Sequence, residues 1–356
     1  MPPPTLPAPR PLTAIDLFAG AGGASQGLRD AGFEVVAAVE FDSTASRTYE
    51  ANHRGTWLIS RDVSEIDPSG VRDVLEKVGR LPAPLSLLNA CPPCQGFSSR
   101  GSREVEDARN DLVLVVPEWA EAFGPDVVVL ENVPGLRDDS RLLEVRKRLG
   151  RLGYGTKPYV ADAADFGVPQ RRKRMILLGV RGARLEDFPD ELVDGLPSDF
   201  DRSAQTAGRW IEKAGPINRT SDPVHRARTL RPKTLARVAS VPLGGDRRSI
   251  PDELQLECHK TLDSQTGGRR ATESYGRIDR DGVAPTMTTR CTTPACGRFT
   301  HPLEHRGLSL REAALLQTFP LEYEFKGTYG EIERQIGNAL PVRMTSAIAQ
   351  IARQIG

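Results

Sequence analysis

Two cysteines separated by two prolines stand in the stretch NACPPCQGFSSRG, residues 89–101. A C-x-x-C spacing serves a metal site, a redox pair, or a single nucleophile held in a stiff loop. Zinc needs about four ligands, as a rule in two close pairs. The other close pair, Cys291 and Cys296, encloses TTPA far along the chain and makes a shared site a poor fit. A thioredoxin-like pair would open a helix in a much smaller fold, and nothing else supports one. The nucleophile reading has more behind it. The prolines fix the backbone before Cys94 and hold its sulfur in one place at low entropic cost. Glu131, in ENVPGL, is a candidate acid, and QRRKR at 170–174 brings cations able to stabilise a thiolate or a phosphate.

A second constellation is glycine-rich. DLFAGAGGASQGL holds Gly20, Gly22, Gly23 and Gly27 after an apolar run. Glycine lets the chain turn sharply and approach a ligand without a Cβ clash. The dinucleotide pattern G-x-G-x-x-G fails here, because Ser25 stands where its last glycine belongs. Glu40 closes the next apolar run and is placed to accept hydrogen bonds from ribose hydroxyls. The loop alone reads as a site for a nucleoside-containing cofactor, with a tight structural turn as the alternative. A cysteine, an acid and a cationic cluster beside such a cofactor suggest attack on an electron-poor ring.

The elements that must position these residues are short apolar runs. TAIDLF, FEVVAAVEFD, LSLLNA and DVVVL alternate with helical stretches such as SGVRDVLEKVG and LLEVRKRLGRLG. Strands alternating with helices predict a parallel α/β sheet with crossover helices. Runs apolar throughout fit strands buried on both faces. Ligands of such sheets bind at the carboxyl ends of the strands. The glycine loop, the cysteine loop and ENVPG each follow a strand, so they are expected to meet in one crevice. Helical character returns in SLREAALLQTF (309–319) and EIERQIGNALPVRMTSAIAQIARQI (331–355).

At 356 residues the chain favours two domains over one, and its net charge of +1 advertises no polyionic partner. That balance hides a local excess, since residues 201–250 hold 11 Lys or Arg against 4 Asp or Glu. Such a run is either a solvated surface or a phosphate-binding face. No run nears the roughly 18 apolar residues of a membrane helix. The opening MPPPTLPAPRPL reads as a disordered Pro-rich tail over 1–11 rather than a signal peptide. Five cysteines, an odd and sparse set, argue for a reducing, cytoplasmic setting without disulfides.

In order and wording these segments resemble the DNA (cytosine-5) methyltransferases of the bacterial Dcm-like family. The resembling stretches are DLFAGAGGASQGL, PPCQGFSSRG, ENVPGL, QRRKRMILLGVR, RGLSLREAALLQTFP and RQIGNALPV, running from about 13 to 350. The resemblance implies a Rossmann-like S-adenosylmethionine-dependent methyltransferase sheet with a smaller, irregular target-recognition domain. The catalytic and cofactor-binding domain is expected over 12–181, completed by 328–356, with target recognition over 182–327. The nucleophile maps to Cys94, followed by Gln95; Glu131 maps to the acid, and Arg174, with Arg172 close by, to groups near the target base. Cys91 falls where relatives carry glycine. The cofactor would be S-adenosyl-L-methionine, with Phe18 against the adenine and Ala19, Gly20, Gly22 and Gly23 lining the methionine end. Glu40 and Phe41 would meet the ribose side, Asp62 the adenine amino group, and Pro93 and Asn338 the remaining walls. The resemblance also implies double-stranded DNA as substrate, a flipped cytosine, no metal, a monomer, a bacterial cytoplasmic and nucleoid setting, and a possible cognate restriction endonuclease. Candidates for DNA contact are Ser98, Gln170, Arg226, Arg228, Arg231, Arg247 and Arg248. A tRNA cytosine-5 methyltransferase is the rival enzyme, although its Cys-Phe-Thr signature is absent. A silent DNA-binding regulator on the same scaffold is the rival from another class.

Overall fold

A computed structural model describes residues 11–81, 84–93, 108–203, 206–217, 221–266 and 272–355. Cys94, Gln95, Ser98 and all but the last residue of the expected tail lie outside them.

The chain begins with β1 (Thr13–Leu17), α1 (Gly23–Asp30), β2 (Glu34–Val39), α2 (Ser43–Asn52), β3 (Trp57–Ile59) and α3 (Pro68–Lys77). It continues through β4 (Leu87–Ala90), α4 (Val116–Phe123), β5 (Val127–Asn132), α5 (Ser140–Arg151), β6 (Tyr154–Asp162) and β7 (Lys173–Arg181). The seven strands form one sheet in the order β3-β2-β1-β4-β5-β7-β6. The first five pair parallel, as the alternation of strands and helices predicts. β7 pairs antiparallel with both β5 and β6, which the sequence reading did not foresee. The segment joining β6 to β7 is too short for a parallel crossover helix, so the chain must reverse there.

The apolar runs are two-faced in the sheet. Ile15, Leu17, Val128 and Leu130 join one core with Leu75 of α3, Trp119 of α4 and Leu149 of α5. Ala14, Val127 and Val129 join the opposite core with Leu28 of α1. That second face is closed by the end of the chain, where Met344, Ile348 and Ile351 pack. Gly27 makes the contact possible. A Cβ there would lie 2.4 Å from the Val342 carbonyl oxygen, so no larger residue lets the two helices approach so closely.

Beyond the sheet come α6 (Ala207–Glu212), α7 (Pro232–Ser240), α8 (Glu257–Thr266), α9 (Leu310–Leu316), α10 (Tyr329–Asn338) and α11 (Val342–Ile355). Ser309 with Glu312, and Thr328 with Glu331, form reciprocal capping boxes that start α9 and α10. The expected single helical stretch over 331–355 is two helices, because Pro341 cannot continue a helix. The break matters: Leu340 turns its carbonyl oxygen onto the glycine loop, 3.0 Å from where a Cβ of Gly23 would sit.

The cores do not divide at 182 and 327. Phe188 and Leu192 pack with the sheet. Ala21 of the glycine loop shares a core with Ile211, Phe299, Leu316, Phe319 and Ile336. The small cluster Val238, Val241, Ile250 and Tyr275 is separate from both.

Candidate active site

In the sheet order the chain runs outward from β1 in both directions, so a crevice opens at the carboxyl ends of β1 and β4. The glycine loop follows β1, Glu40 follows β2, Asp62 follows β3, Pro93 follows β4, and Glu131 is the penultimate residue of β5. The expected convergence is present.

The loop is left-handed at Phe18 (φ 60°), Gly20 (φ 56°) and Gly22 (φ 90°). A bulky residue such as Phe18 adopts that conformation at a cost of about 1–2 kcal/mol, and such strain gathers at ligand sites. Gly22 is confined for a second reason, since a Cβ would lie 2.4 Å from His53 Nε2 and 2.6 Å from the Tyr323 hydroxyl. At Gly20, by contrast, a Cβ would meet nothing within 4 Å. The loop is thus packed from below and open above.

Beneath it lies a buried polar floor that the sequence reading missed. Asp16, fully buried in β1, accepts from Ser25 Oγ at 2.6 Å and Asn89 Nδ2 at 2.8 Å. Ser25 Oγ in turn meets the Tyr49 hydroxyl at 2.8 Å. Burial pushes the Asp16 carboxyl up to about 6 against these hydrogen bonds. Beside this, Tyr323 donates to the Ala21 carbonyl oxygen at 2.6 Å and lies 2.9 Å from His53 Nε2. Burial, then the charge of Arg29, lowers His53 to about 4. The signal for the floor was present: polar residues interrupt the apolar runs in AIDLF and LLNA, and a polar residue inside a doubly buried strand needs a partner.

The cofactor candidates fall into two groups. Glu40 is buried, and its Oε2 accepts from Gly20 N at 2.7 Å while Oε1 accepts from Asp42 N at 2.8 Å. Burial nonetheless raises its pKa. It therefore holds the glycine loop as well as facing the crevice. Ala19 donates its N–H to the Val39 carbonyl oxygen at 2.9 Å and is buried. Phe18 and Pro93 are half-buried, and Phe41 leaves 73% of its surface exposed. Asp62 caps a turn, accepting from Ser64 N at 2.9 Å and Ser64 Oγ at 2.7 Å, which lower its pKa. Asn338 is exposed at the end of α10. Exposed aromatic surface at Phe41, open space above Gly20 and a buried carboxylate between them suit a ligand with an aromatic ring, a ribose and a charged tail.

Glu131 is buried at 8% exposure, and its Oε1 lies 2.7 Å from Arg174 Nε. Its neighbour Asn132 donates to the Pro92 carbonyl oxygen at 3.1 Å. That bond, which the sequence reading also missed, pins the strap leading to Cys94 against β5. Cys91 N donates to the Leu17 carbonyl oxygen at 3.2 Å, and its sulfur accepts from Asn89 Nδ2 at 3.7 Å. Burial first, then the charges of Glu131 and Asp16, push the Cys91 thiol well up. Cys91 is therefore a protonated apolar filler between floor and strap, with little of the character of a nucleophile.

The two arginines of the basic cluster part company. Arg174 turns to Glu131. Arg172 is buried, and its guanidinium donates to the carbonyl oxygens of Met287 at 2.8 Å and Gly337 at 3.1 Å. It joins β7 to two later segments and stands as a clamp, not as a group near a base. Two DNA-contact candidates also require correction. Gln170 is fully buried, donating to Leu316 O at 3.1 Å and Gln317 Oε1 at 2.9 Å and accepting from Met287 N at 2.7 Å. Arg247 is 2% exposed. Neither side chain is placed to meet a duplex. Arg226, Arg228 and Arg231 are exposed, and Arg248, also exposed, pairs with Asp246 at 2.6 Å.

Among the described residues no group of three or more His, Cys, Asp or Glu is arranged to hold a metal ion, and no helix is long and apolar enough to cross a membrane.

Comparison with known proteins places this geometry. The family model for C-5 cytosine-specific DNA methylases matches residues 12–354. The type II methylase M.HgiDII of Herpetosiphon aurantiacus is 32% identical over 343 residues, covering 94% of this chain and 93% of its own. The type II methyltransferase M.PspPI of a Psychrobacter strain is 35% identical over 352 residues, covering 96% and 79%. Among solved structures, the Schizosaccharomyces pombe Dnmt2 methyltransferase shares the fold at a TM-score of 0.63 and 19% identity, over 96% of this chain and 98% of its own.

Proposed function

The chain belongs to the C-5 cytosine-specific DNA methylase family, and from that premise we propose how its own residues carry the transfer. The enzyme methylates carbon 5 of cytosine in DNA with S-adenosylmethionine, which when bound supplies an electrophilic sulfonium methyl group. Phe18 would hold the adenine, Glu40 and Phe41 the ribose side, Asp62 the adenine amino group, and the glycine loop with Pro93 and Asn338 the remaining walls.

Carbon 5 of cytosine is a poor nucleophile. In this reading the Cys94 thiolate adds to carbon 6, which makes the ring an enamine whose carbon 5 takes the methyl group. The carbon 5 proton then leaves to a base, the carbon 6–sulfur bond breaks, and the thiolate is regenerated. Glu131 accepts from the exocyclic amino group, gives a proton to ring nitrogen 3 as charge develops there, and takes it back as the thiolate leaves. Arg174 fixes the carboxyl group for that task. A stacked base cannot reach these groups, so the cytosine is flipped out of the duplex. The observation that supports the reading is the strap geometry: Asn132 and Glu131, adjacent on β5, bond Pro92, two residues before Cys94, and Arg174.

Because M.HgiDII and M.PspPI are named as type II enzymes, we assign this chain the modification half of a restriction–modification pair, acting as a monomer in the cytoplasm. Arg226, Arg228, Arg231 and Arg248 are assigned to phosphate contact, with Ser98 and Gln95 near the target base. Methyl-labelled cofactor and duplex DNA test the chemistry. Cys94→Ala should abolish label transfer, at least 10³-fold, whereas Cys91→Gly should retain it within about tenfold. An inert Cys91→Gly beside an active Cys94→Ala would reverse the assignment. Bisulfite sequencing of DNA from expressing cells would read base and site together.

A further inference from the structure

A cleft of about 410 Å³ is lined by Arg228, Thr289, Arg290, Gly330, Glu333 and Arg334. Its one carboxylate is already engaged. Glu333 is 1% exposed; its Oε1 accepts from Thr292 N at 2.9 Å and Thr292 Oγ1 at 2.5 Å, and its Oε2 pairs with Arg228 at 2.8 Å. Arg228 also lies over the Tyr329 ring, 4.3 Å from its centroid, so its fork is held before any ligand arrives. Arg290 and Arg334 are both exposed, and Arg334 acts on the charge of Glu331, three residues before it on α10. Three guanidinium groups and one carboxylate line the cleft, and counting Glu331 beside Arg334 the balance is still positive by one. The first turn of α10, at Gly330, adds the positive end of a helix dipole.

The walls are rigid and tied to the catalytic sheet. A Cβ at Gly337 would lie 2.2 Å from the Thr288 carbonyl oxygen, so the segment bearing Thr289 and Arg290 rests directly on α10. Arg172 bonds both walls, through Met287 and Gly337, and two residues further along β7 Arg174 meets Glu131.

Resting on the function assigned above, we propose that this cleft seats a phosphate of the DNA backbone, with Arg290 and Arg334 as its exposed arms. Planar guanidinium forks from two walls match the several acceptor oxygens of one phosphodiester. The clamp on β7 then fixes the distance between that phosphate and Glu131. A free phosphate ion offers the same chemistry, and the test separates the two.

Binding of the full-length protein to a duplex carrying its site is measured across a potassium chloride series for wild type, Arg290→Ala with Arg334→Ala, and Arg184→Ala as an exposed control remote in sequence. The slope of log affinity against log salt should fall by about 0.9 in the double variant, the share of the one phosphate that both arginines hold. Affinity should drop on the order of tenfold per arginine. A double variant that melts with the wild type and keeps the control's slope overturns the proposal. So does inorganic phosphate that binds wild type but not the double variant and leaves DNA affinity unchanged at matched ionic strength, since the cleft would then hold a free anion. A wild type that methylates DNA alongside an unchanged double variant removes only the cleft. A wild type that neither binds nor methylates duplex DNA removes the assigned function as well.

Discussion

The floor of the crevice and the arginine-rich segment after α6 treat polar groups in opposite ways. Under the glycine loop, Asp16, Ser25, Tyr49 and Asn89 are spent on one another, and Glu40 is bound by two backbone N–H groups. In the arginine-rich segment Arg226 and Arg231 stay in solvent, and Arg228 is only half committed. A site for one small cofactor needs its shape fixed before binding, so its polar atoms satisfy each other. A face for a long polyanion needs charge at the surface, where counterion release drives association. Buried groups therefore report on stability, and exposed ones on salt.

The largest expected break in that pattern is at Arg172. It belongs to the basic cluster by sequence, but its guanidinium joins β7 to Met287 and Gly337 from a buried position. Arg172→Ala should leave a cavity and two carbonyl oxygens without that donor, at a cost of about 3–5 kcal/mol. For a chain of this size that lowers the melting temperature by on the order of 5–10 °C. Calorimetry checks it, and a melting temperature within a degree of wild type would return Arg172 to the exposed class.

A smaller effect is expected from pH. His53, held near 4 by burial and Arg29, stays neutral in the fold where an unfolded chain would protonate near 6.5. The unfolded state thus binds more protons between those values, and stability from this group is lost as pH falls from 6.5 towards 4, by up to about 3 kcal/mol. Asp16 has the opposite sign. Its folded pKa is raised to about 6 from 3.8, so the folded state binds more protons and its contribution is lost as pH rises through 6. The two nearly offset in wild type. His53→Gln should unmask Asp16, and its melting temperature relative to wild type should rise as pH drops from 6.5 to 4.5. Parallel curves for the two proteins would mean that His53 is not held neutral.

The sheet and its crevice were legible because both follow from local rules. Apolar runs buried on both faces read as parallel strands, and a glycine loop, Glu40 and ENVPG all stand where strands end. Three things were not legible. β7 reads as a strand, but its insertion antiparallel between β5 and β6 is set by pairing partners far apart in sequence. Pro341 was visible, yet the use of the resulting break to press Leu340 on Gly23 depends on how α11 returns to α1. Cys91 looked like half of a pair, because spacing records neither its burial nor the Asn89 amide at its sulfur. Arg172 and Arg174 show the same blindness at its sharpest, since Arg172 stands just before β7 and turns to Met287 and Gly337, whereas Arg174 lies within the strand and meets Glu131.

The smallest effect is the most discriminating within the basic segment. Charge counting weighs Arg231 and Arg247 alike, but Arg231 is exposed at the start of α7 while Arg247 is 2% exposed. If Arg231 meets a phosphate, Arg231→Ala should reduce the salt slope of DNA binding by about 0.9 and leave stability within about 0.5 kcal/mol. Arg247→Ala should do the reverse, lowering the melting temperature while keeping the slope. Equal slopes in both variants would mean that exposure in the free protein does not select the contacts, and that the duplex is met by a rearranged segment.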